Sequence, residues 1–282
     1  MTEYYAIGPD KLGKDANIPV SHKGSADEMF AWIAEEMAGT IEKNNADGKK
    51  TVMIVPVGPV GQYPFLASII NTRRISLKNC WFLNMDEYMS DESEYLDIDD
   101  PLSFRGFMER FYRSISADLL MPPEQRTFPD PKDLGKTARL IEELGGVDLC
   151  VAGIGINGHI AFNEARADLT AEQYADSHCR VLDIAAETVT TCAISEFGGA
   201  LDRVPKKAIT LGISELMSAR RIIIGLFRPW HRSVIRRTIY GEVSAGFPAS
   251  LLQSHGNTVI ACTDEVAQLP FYEQVSADFA KR

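Results

Sequence analysis

The sequence has no Cys-x-x-Cys pair, no internal repeat, no excess of basic residues and no long uninterrupted apolar run. Each absence excludes something. A helix that spans a bilayer needs about 20 consecutive apolar residues, and the apolar runs here are short and broken by polar or charged positions. No membrane partner is expected. With 39 acidic against 29 basic residues the formal charge is -10, a field that repels nucleic acid and anionic lipid. An anionic small molecule would therefore have to meet a local cluster of donors. The cysteines, Cys80, Cys150, Cys179, Cys192 and Cys262, are odd in number and widely spaced, which is no disulfide framework. Three of them sit in apolar runs, where a thiol behaves as a small hydrophobe, and reduced thiols place the chain in the cytoplasm. The N-terminal residues lack the basic-then-apolar pattern of an export signal. His22, His178, His231 and His255 share no zinc-ligand spacing, and the acidic stretch Asp91 to Asp100 lacks the calcium-loop pattern. No metal is expected.

What is present is an ordinary globular balance: 45% hydrophobic and 24% charged residues in 282. No composition shift marks a linker, so one domain over residues 1–282 is expected. Ser25 with Glu28 forms a capping-box pattern, and Phe30, Ile33, Met37 and Ile41 then recur on one helical face. Further helices are predicted over 62–74, 102–116, 132–144, 185–197 and 229–241. Between them lie runs rich in β-branched residues, at 51–57, 80–84, 147–153, 207–211, 221–227 and 258–262. Continuous apolar character suits parallel strands covered on both faces. The alternation predicts an α/β fold, a doubly wound and mainly parallel sheet with helices on both faces, Rossmann-like. Residues 86–101, of which eight in sixteen are acidic, and the proline-rich 121–131 read as long loops.

In such a sheet ligands bind beyond the carboxyl ends of the strands. Three loops should open there: Gly58-Pro-Val-Gly-Gln62, Met85-Asp-Glu-Tyr88 and Ile154-Gly-Ile-Asn-Gly-His-Ile-Ala-Phe-Asn-Glu164. In the third, Gly155 and Gly158 permit close approach of a ligand. His159 stands at the rim, with Glu164 near enough in sequence to orient the ring and favour its protonated form. An isolated histidine is more often a cap or a core residue; the glycines and the carboxylate favour a proton-transfer role. Asp86 directly follows an apolar strand, where burial would raise its pKa toward that of a base. The competing reading of Asp86 is a turn former.

The run Gly155-Ile-Asn-Gly-His-Ile-Ala-Phe-Asn-Glu164 resembles the signature of the glucosamine-6-phosphate deaminase/isomerase family, which is close to the 6-phosphogluconolactonases. Asn84 to Tyr88, Ser103 to Phe111, Val204 to Gly212 and Pro248 to His255 extend the resemblance over roughly residues 50 to 265. The lactonases resemble this chain around Gly-His but lack the Phe-Asn-Glu that follows His159. The resemblance implies an enzyme that opens a pyranose, isomerises aldose to ketose through an enediol and releases ammonia from C2, without a cofactor. It implies that Asp86 moves the proton between C2 and C1, that His159 assists ring opening, and that Glu164 polarises the histidine. The sugar phosphate would be the small-molecule partner, with Glu87, Gly155 and Gly158 beside it. Backbone N–H groups from Gly58 through Val60 and Gly61 to Gln62 would cradle the phosphate. Both monomers and homo-oligomers occur in the family.

The sequence also departs from the pattern. Many members have Asp where Asn157 stands, and the first loop usually reads Thr-Gly-Gly-Thr-Pro, so its hydroxyls are missing here. A family lysine falls on His231, beside Arg228 and Arg232, and a second basic position falls near Ile194. Either the phosphate pocket is rebuilt or the substrate differs, as in another amino sugar, a sugar-amine conjugate or an unphosphorylated analogue. A non-catalytic sugar-phosphate sensor is the remaining alternative.

Overall fold

Successive residues of the apolar runs point to opposite sides of a central sheet, as the twofold period of a strand requires. The computed structural model describes residues 3–91 and 93–270. Its strands, in chain order, are β1 (Val20–Lys23), β2 (Thr51–Val55), β3 (Cys80–Asn84), β4 (Asp86–Met89), β5 (Arg126–Thr127), β6 (Leu149–Ala152), β7 (Arg180–Asp183), β8 (Lys207–Thr210), β9 (Ile222–Leu226) and β10 (Thr258–Thr263). The helices are α1 (Ala26–Ala46), α2 (Gln62–Arg73), α3 (Phe104–Arg113), α4 (Lys136–Leu144), α5 (Ala171–Ala175), α6 (Ala186–Glu196), α7 (Ile213–Met217), α8 (His231–Tyr240) and α9 (Asp264–Ala267).

A seven-stranded sheet runs in the order β1-β10-β9-β6-β2-β3-β5, with every neighbouring pair parallel. Met53, Val55, Phe82 and Val151 pack toward Met29, Ile33 and Met37 of α1, Leu66 of α2 and Met108 of α3. Val52, Ile54, Leu83 and Cys150 pack the other way, toward Ile141 of α4 and Val234 and Ile235 of α8. This is the predicted Rossmann-like α/β layer arrangement, with helices on both faces. α1 opens as its sequence predicts: Ser25 is the N-cap and its hydroxyl accepts from the Glu28 amide at 3.2 Å.

Three expectations need correction. The run 207–211 was expected to join the parallel sheet, yet β8 pairs antiparallel with β4 and β7 in a separate three-stranded sheet. Buried strands of both kinds are apolar, so composition does not carry strand direction. The acidic stretch 86–101, expected to be a loop throughout, begins as β4, whose four residues are all buried. The charges of Asp86 and Glu87 mask this strand because both serve specific local needs. The proline-rich 121–131, also expected to be a loop, holds the short strand β5 at the edge of the central sheet; like β1 and β7 it carries too few apolar residues to stand out. The five cysteines are free thiols; burial pushes Cys80, Cys150 and Cys262 up to about 12, which leaves them protonated and inert.

Candidate active site

β2 leads to β3 on one side of the sheet, whereas its neighbour on the other side is β6. That reversal opens a crevice at the carboxyl edge, where the loops after β2, β3 and β6 meet. A cleft of about 140 Å³ lies there. Gly58, Pro59, Gly153 and Gly155 form its floor, α6 forms one wall, and the segment after β9 forms another. β3 and β6 flank β2, so residues at their ends stand about 10 Å apart, twice the strand spacing. Asp86 and His159 both line the cleft.

Asp86 is 6% exposed. Burial, with a smaller push from the neighbouring charge of Glu87, raises its carboxyl well above the ordinary range. Its strand position fixes it: the Met85 amide donates to Val55 of β2, and the Leu211 amide donates to the Met85 carbonyl. Glu87 points the other way and does not line the cleft. Its buried carboxylate accepts from the amides of Tyr88, Phe104 and Arg105 and from the Ser103 hydroxyl, at 2.8 to 3.1 Å. It thereby holds the first turn of α3 against β4, an anion on a helix N-terminus. Replacing Glu87 with Gln would set an NH₂ against those donors. We expect the variant to be destabilised by about 2 kcal/mol, read as a lower urea midpoint.

His159 is positioned by a relay. Asn157 Oδ1 accepts from the His159 amide at 3.2 Å and from Nδ1 at 2.8 Å. Asn157 Nδ2 donates to Glu164 Oε2 at 2.7 Å, and Glu164 Oε2 lies 3.3 Å from His159 Nδ1. With acceptors on that side, Nδ1 carries the proton, and Nε2 is left for chemistry. Thr188 of α6 donates to the same Glu164 oxygen at 3.0 Å, and the Ala185 amide donates to the other at 3.2 Å. Burial pushes the Glu164 carboxyl up, but the hydrogen bond and charge of His159, helped by Asn157 and Thr188, outweigh it and hold it below its usual value. Asn157 thus connects the imidazole to Glu164 through its amide, so the histidine is oriented without an aspartate there.

The glycines make room for this ring. A methyl group on Gly155 would lie 1.9 Å from His159 Cε1, and Gly158, at φ +85°, would place one 2.5 Å from the Phe247 ring. Gly158 supports the turn from behind and does not line the cleft. In the first loop only Gly58 and Pro59 reach the cleft. Gly61 packs against Phe30, Val60 faces outward, and Gln62 is buried, donating to the Pro59 carbonyl at 2.9 Å.

The basic positions separate sharply. His231 lines the cleft, but Nδ1 accepts from the Phe227 and Arg228 amides at 3.1 and 3.0 Å, and Nε2 donates to the Ile154 carbonyl at 3.1 Å. Burial drives its pKa down to about 3, so it is a neutral brace and not a cation. A histidine depressed this way stabilises the fold fully above its unfolded pKa of about 6.5, and acidification from there toward 3 removes that stability. We expect His231→Asn to lose this component of the acid dependence, about 1.4 kcal/mol per pH unit at most, in urea titrations across pH 4 to 7. Arg232 turns away from the cleft, donating to the Glu265 carbonyl at 3.0 Å. Arg228 does line the cleft, where its Nη2 meets Glu196 Oε1 at 3.3 Å. Ile194 is 72% exposed, while its neighbours Ser195 and Glu196 face inward. Thr188, Ser195 and Glu196 carry no signal in the sequence, and Cys192 stands out there only as a thiol. Their spacing on the predicted helix 185–197 puts them on one face, but nothing in the sequence says which face meets the cleft.

The chain is 31% identical over 248 residues to the glucosamine-6-phosphate deaminase of Porphyromonas gingivalis, covering 86% of this chain and 89% of that protein. It is 30% identical over 247 residues to that of Clostridium botulinum, covering 86% and 94%. The chain belongs to the glucosamine-6-phosphate deaminase family. No family model matches it. Among solved structures, a monomeric glucosamine-6-phosphate deaminase superposes with a TM-score of 0.75 at 26% identity, over 88% of this chain and 98% of that one. The 6-phosphogluconolactonase of Thermotoga maritima superposes at 0.61 with 14% identity, over 87% and 99%, a likeness of fold. As a member of the deaminase family the chain is an enzyme of the amino-sugar-phosphate isomerase and deaminase class. Among the described residues no helix is long and apolar enough to cross a membrane.

Proposed function

We propose that this enzyme carries out the isomerising deamination of an amino-sugar phosphate in the cytoplasm, with glucosamine 6-phosphate the first substrate to test. The observation that carries the reading is the convergence of a buried carboxylate after β3 and an oriented imidazole after β6 on one cleft. In this reaction His159 Nε2 moves a proton between the ring oxygen and O1, opening the pyranose. Asp86 then removes the proton at C2 and delivers it to C1. The resulting C2 imine is hydrolysed by water, giving the ketose phosphate and ammonia. Glu164 and Asn157 act through the histidine, by fixing its tautomer and orientation. Gly58 and Gly155 keep the floor free of side chains so that the sugar can approach the backbone.

Every residue in this scheme comes from one chain, so the cleft needs no second copy even if copies associate. The measurement is ammonia release from glucosamine 6-phosphate, coupled to the appearance of a ketose phosphate, together with deuterium uptake at carbon in heavy water. Equal amounts of ammonia and ketose are expected. Ligand binding with neither ammonia nor exchange would instead favour a sugar-phosphate sensor.

A further inference from the structure

Arg228 is the only lysine or arginine among the described residues that lines the cleft. Its guanidinium rests over the Phe227 ring, 5.2 Å from the centroid, and contacts Glu196 at 3.3 Å. The other polar side chains on the wall that carries Glu196, Thr191 and Ser195, are uncharged. His231 is committed through both ring nitrogens to backbone groups and stays neutral. Pro59 on the floor has no N–H to offer, and the loop carries no hydroxyl. Thus the cleft presents one guanidinium, with a carboxylate already attached. A phosphate dianion placed on Arg228 would have to displace or share it with Glu196, and would feel that carboxylate as a like charge. A hydroxyl, by contrast, can donate to Glu196 and accept from Arg228 without disturbing the pair.

We propose that the Glu196–Arg228 pair is a specificity-determining element, with Glu196 opposing a doubly charged group at the distal end of the sugar and thereby narrowing the preference for phosphorylated over unphosphorylated amino sugars. The proposal rests on the reading that an amino sugar occupies this cleft. It makes Glu196, and not an extra cation, the control on how strongly phosphate contributes to binding.

The test uses ligands that cannot react, so that binding is read apart from turnover. Calorimetric affinities of 2-amino-2-deoxyglucitol 6-phosphate and of 2-amino-2-deoxyglucitol are measured for the wild type, Glu196→Gln and Arg228→Gln, with folding checked by circular dichroism. The quantity of interest is the affinity ratio, phosphorylated over unphosphorylated. Removing one opposing charge should raise it about tenfold in Glu196→Gln, and removing the cation should lower it about tenfold in Arg228→Gln. A ratio unchanged within twofold, or lowered, in Glu196→Gln overturns the proposal. Absence of binding by both ligands to every form overturns it together with the amino-sugar reading. Phosphate-dependent binding that follows the expected order, without ammonia release by the wild type, overturns the deaminase reading alone.

Discussion

Asp86→Asn is expected to lower kcat about 10³-fold while leaving KM for the amino-sugar phosphate within a few-fold, because general-base catalysis contributes about 10² to 10⁴. The amide is the same shape and still lies at the head of β4, but it cannot accept the C2 proton. Deuterium uptake should disappear in parallel with ammonia release. Burial, and then the charge of Glu87, raises the Asp86 carboxyl, and the base must be ionised to act. Activity should therefore fall on acidification at a pH well above the ordinary aspartate range, and the acid limb of kcat/KM is the place to see it. The sign of the stability effect is opposite. A carboxyl whose folded pKa exceeds its unfolded value contributes stability below the unfolded pKa, and that contribution is lost as pH rises through the folded one. Above its unfolded pKa the shifted Asp86 is a cost, so the Asn variant should unfold at a higher urea concentration. Full turnover in Asp86→Asn would remove this residue from the mechanism.

The second large effect is expected from one methyl group. Gly155→Ala would set a carbon 1.9 Å from the imidazole of His159, and the ring must rotate or move away. Its hydrogen bonds to Asn157 and Glu164 fix the orientation that chemistry needs, and a displacement of about 1 Å is enough to cost roughly 10²-fold in rate. We expect kcat/KM to fall by that factor. Proton exchange from the open-chain ketose phosphate should be less affected, since Asp86 is untouched. A wild-type rate in Gly155→Ala would show that the histidine tolerates another pose.

The chemistry-bearing loops were legible because glycine, histidine and carboxylate are unusual neighbours right after an apolar run. Asp86, His159 and Glu164 stand out from these local signals, and Asn157 from the family resemblance. The substrate-binding set was less legible. Val60, Gly61 and Gln62 follow the floor residues in sequence, yet the chain turns into α2 and takes them out of the cleft. Arg228 and Arg232 look equivalent on paper. They are four positions apart across the start of α8, and one faces the cleft while the other reaches Glu265. Glu87 and Asp86, adjacent carboxylates on one strand, must point to opposite sides; only the placement of α3 decides which of them is structural.

The sequence by itself determined the layered α/β class, the capped helix α1, the apolar strands of the central sheet and the catalytic candidates, since period, caps and glycines are local signals. Only the tertiary structure decided that β8 runs antiparallel in a second sheet, that His231 is a neutral brace, and that Glu196 meets Arg228 in the cleft. Those outcomes depend on which surfaces come together across long separations in the chain. A residue's type records what it is able to do, and its burial and partners settle which of those things it does.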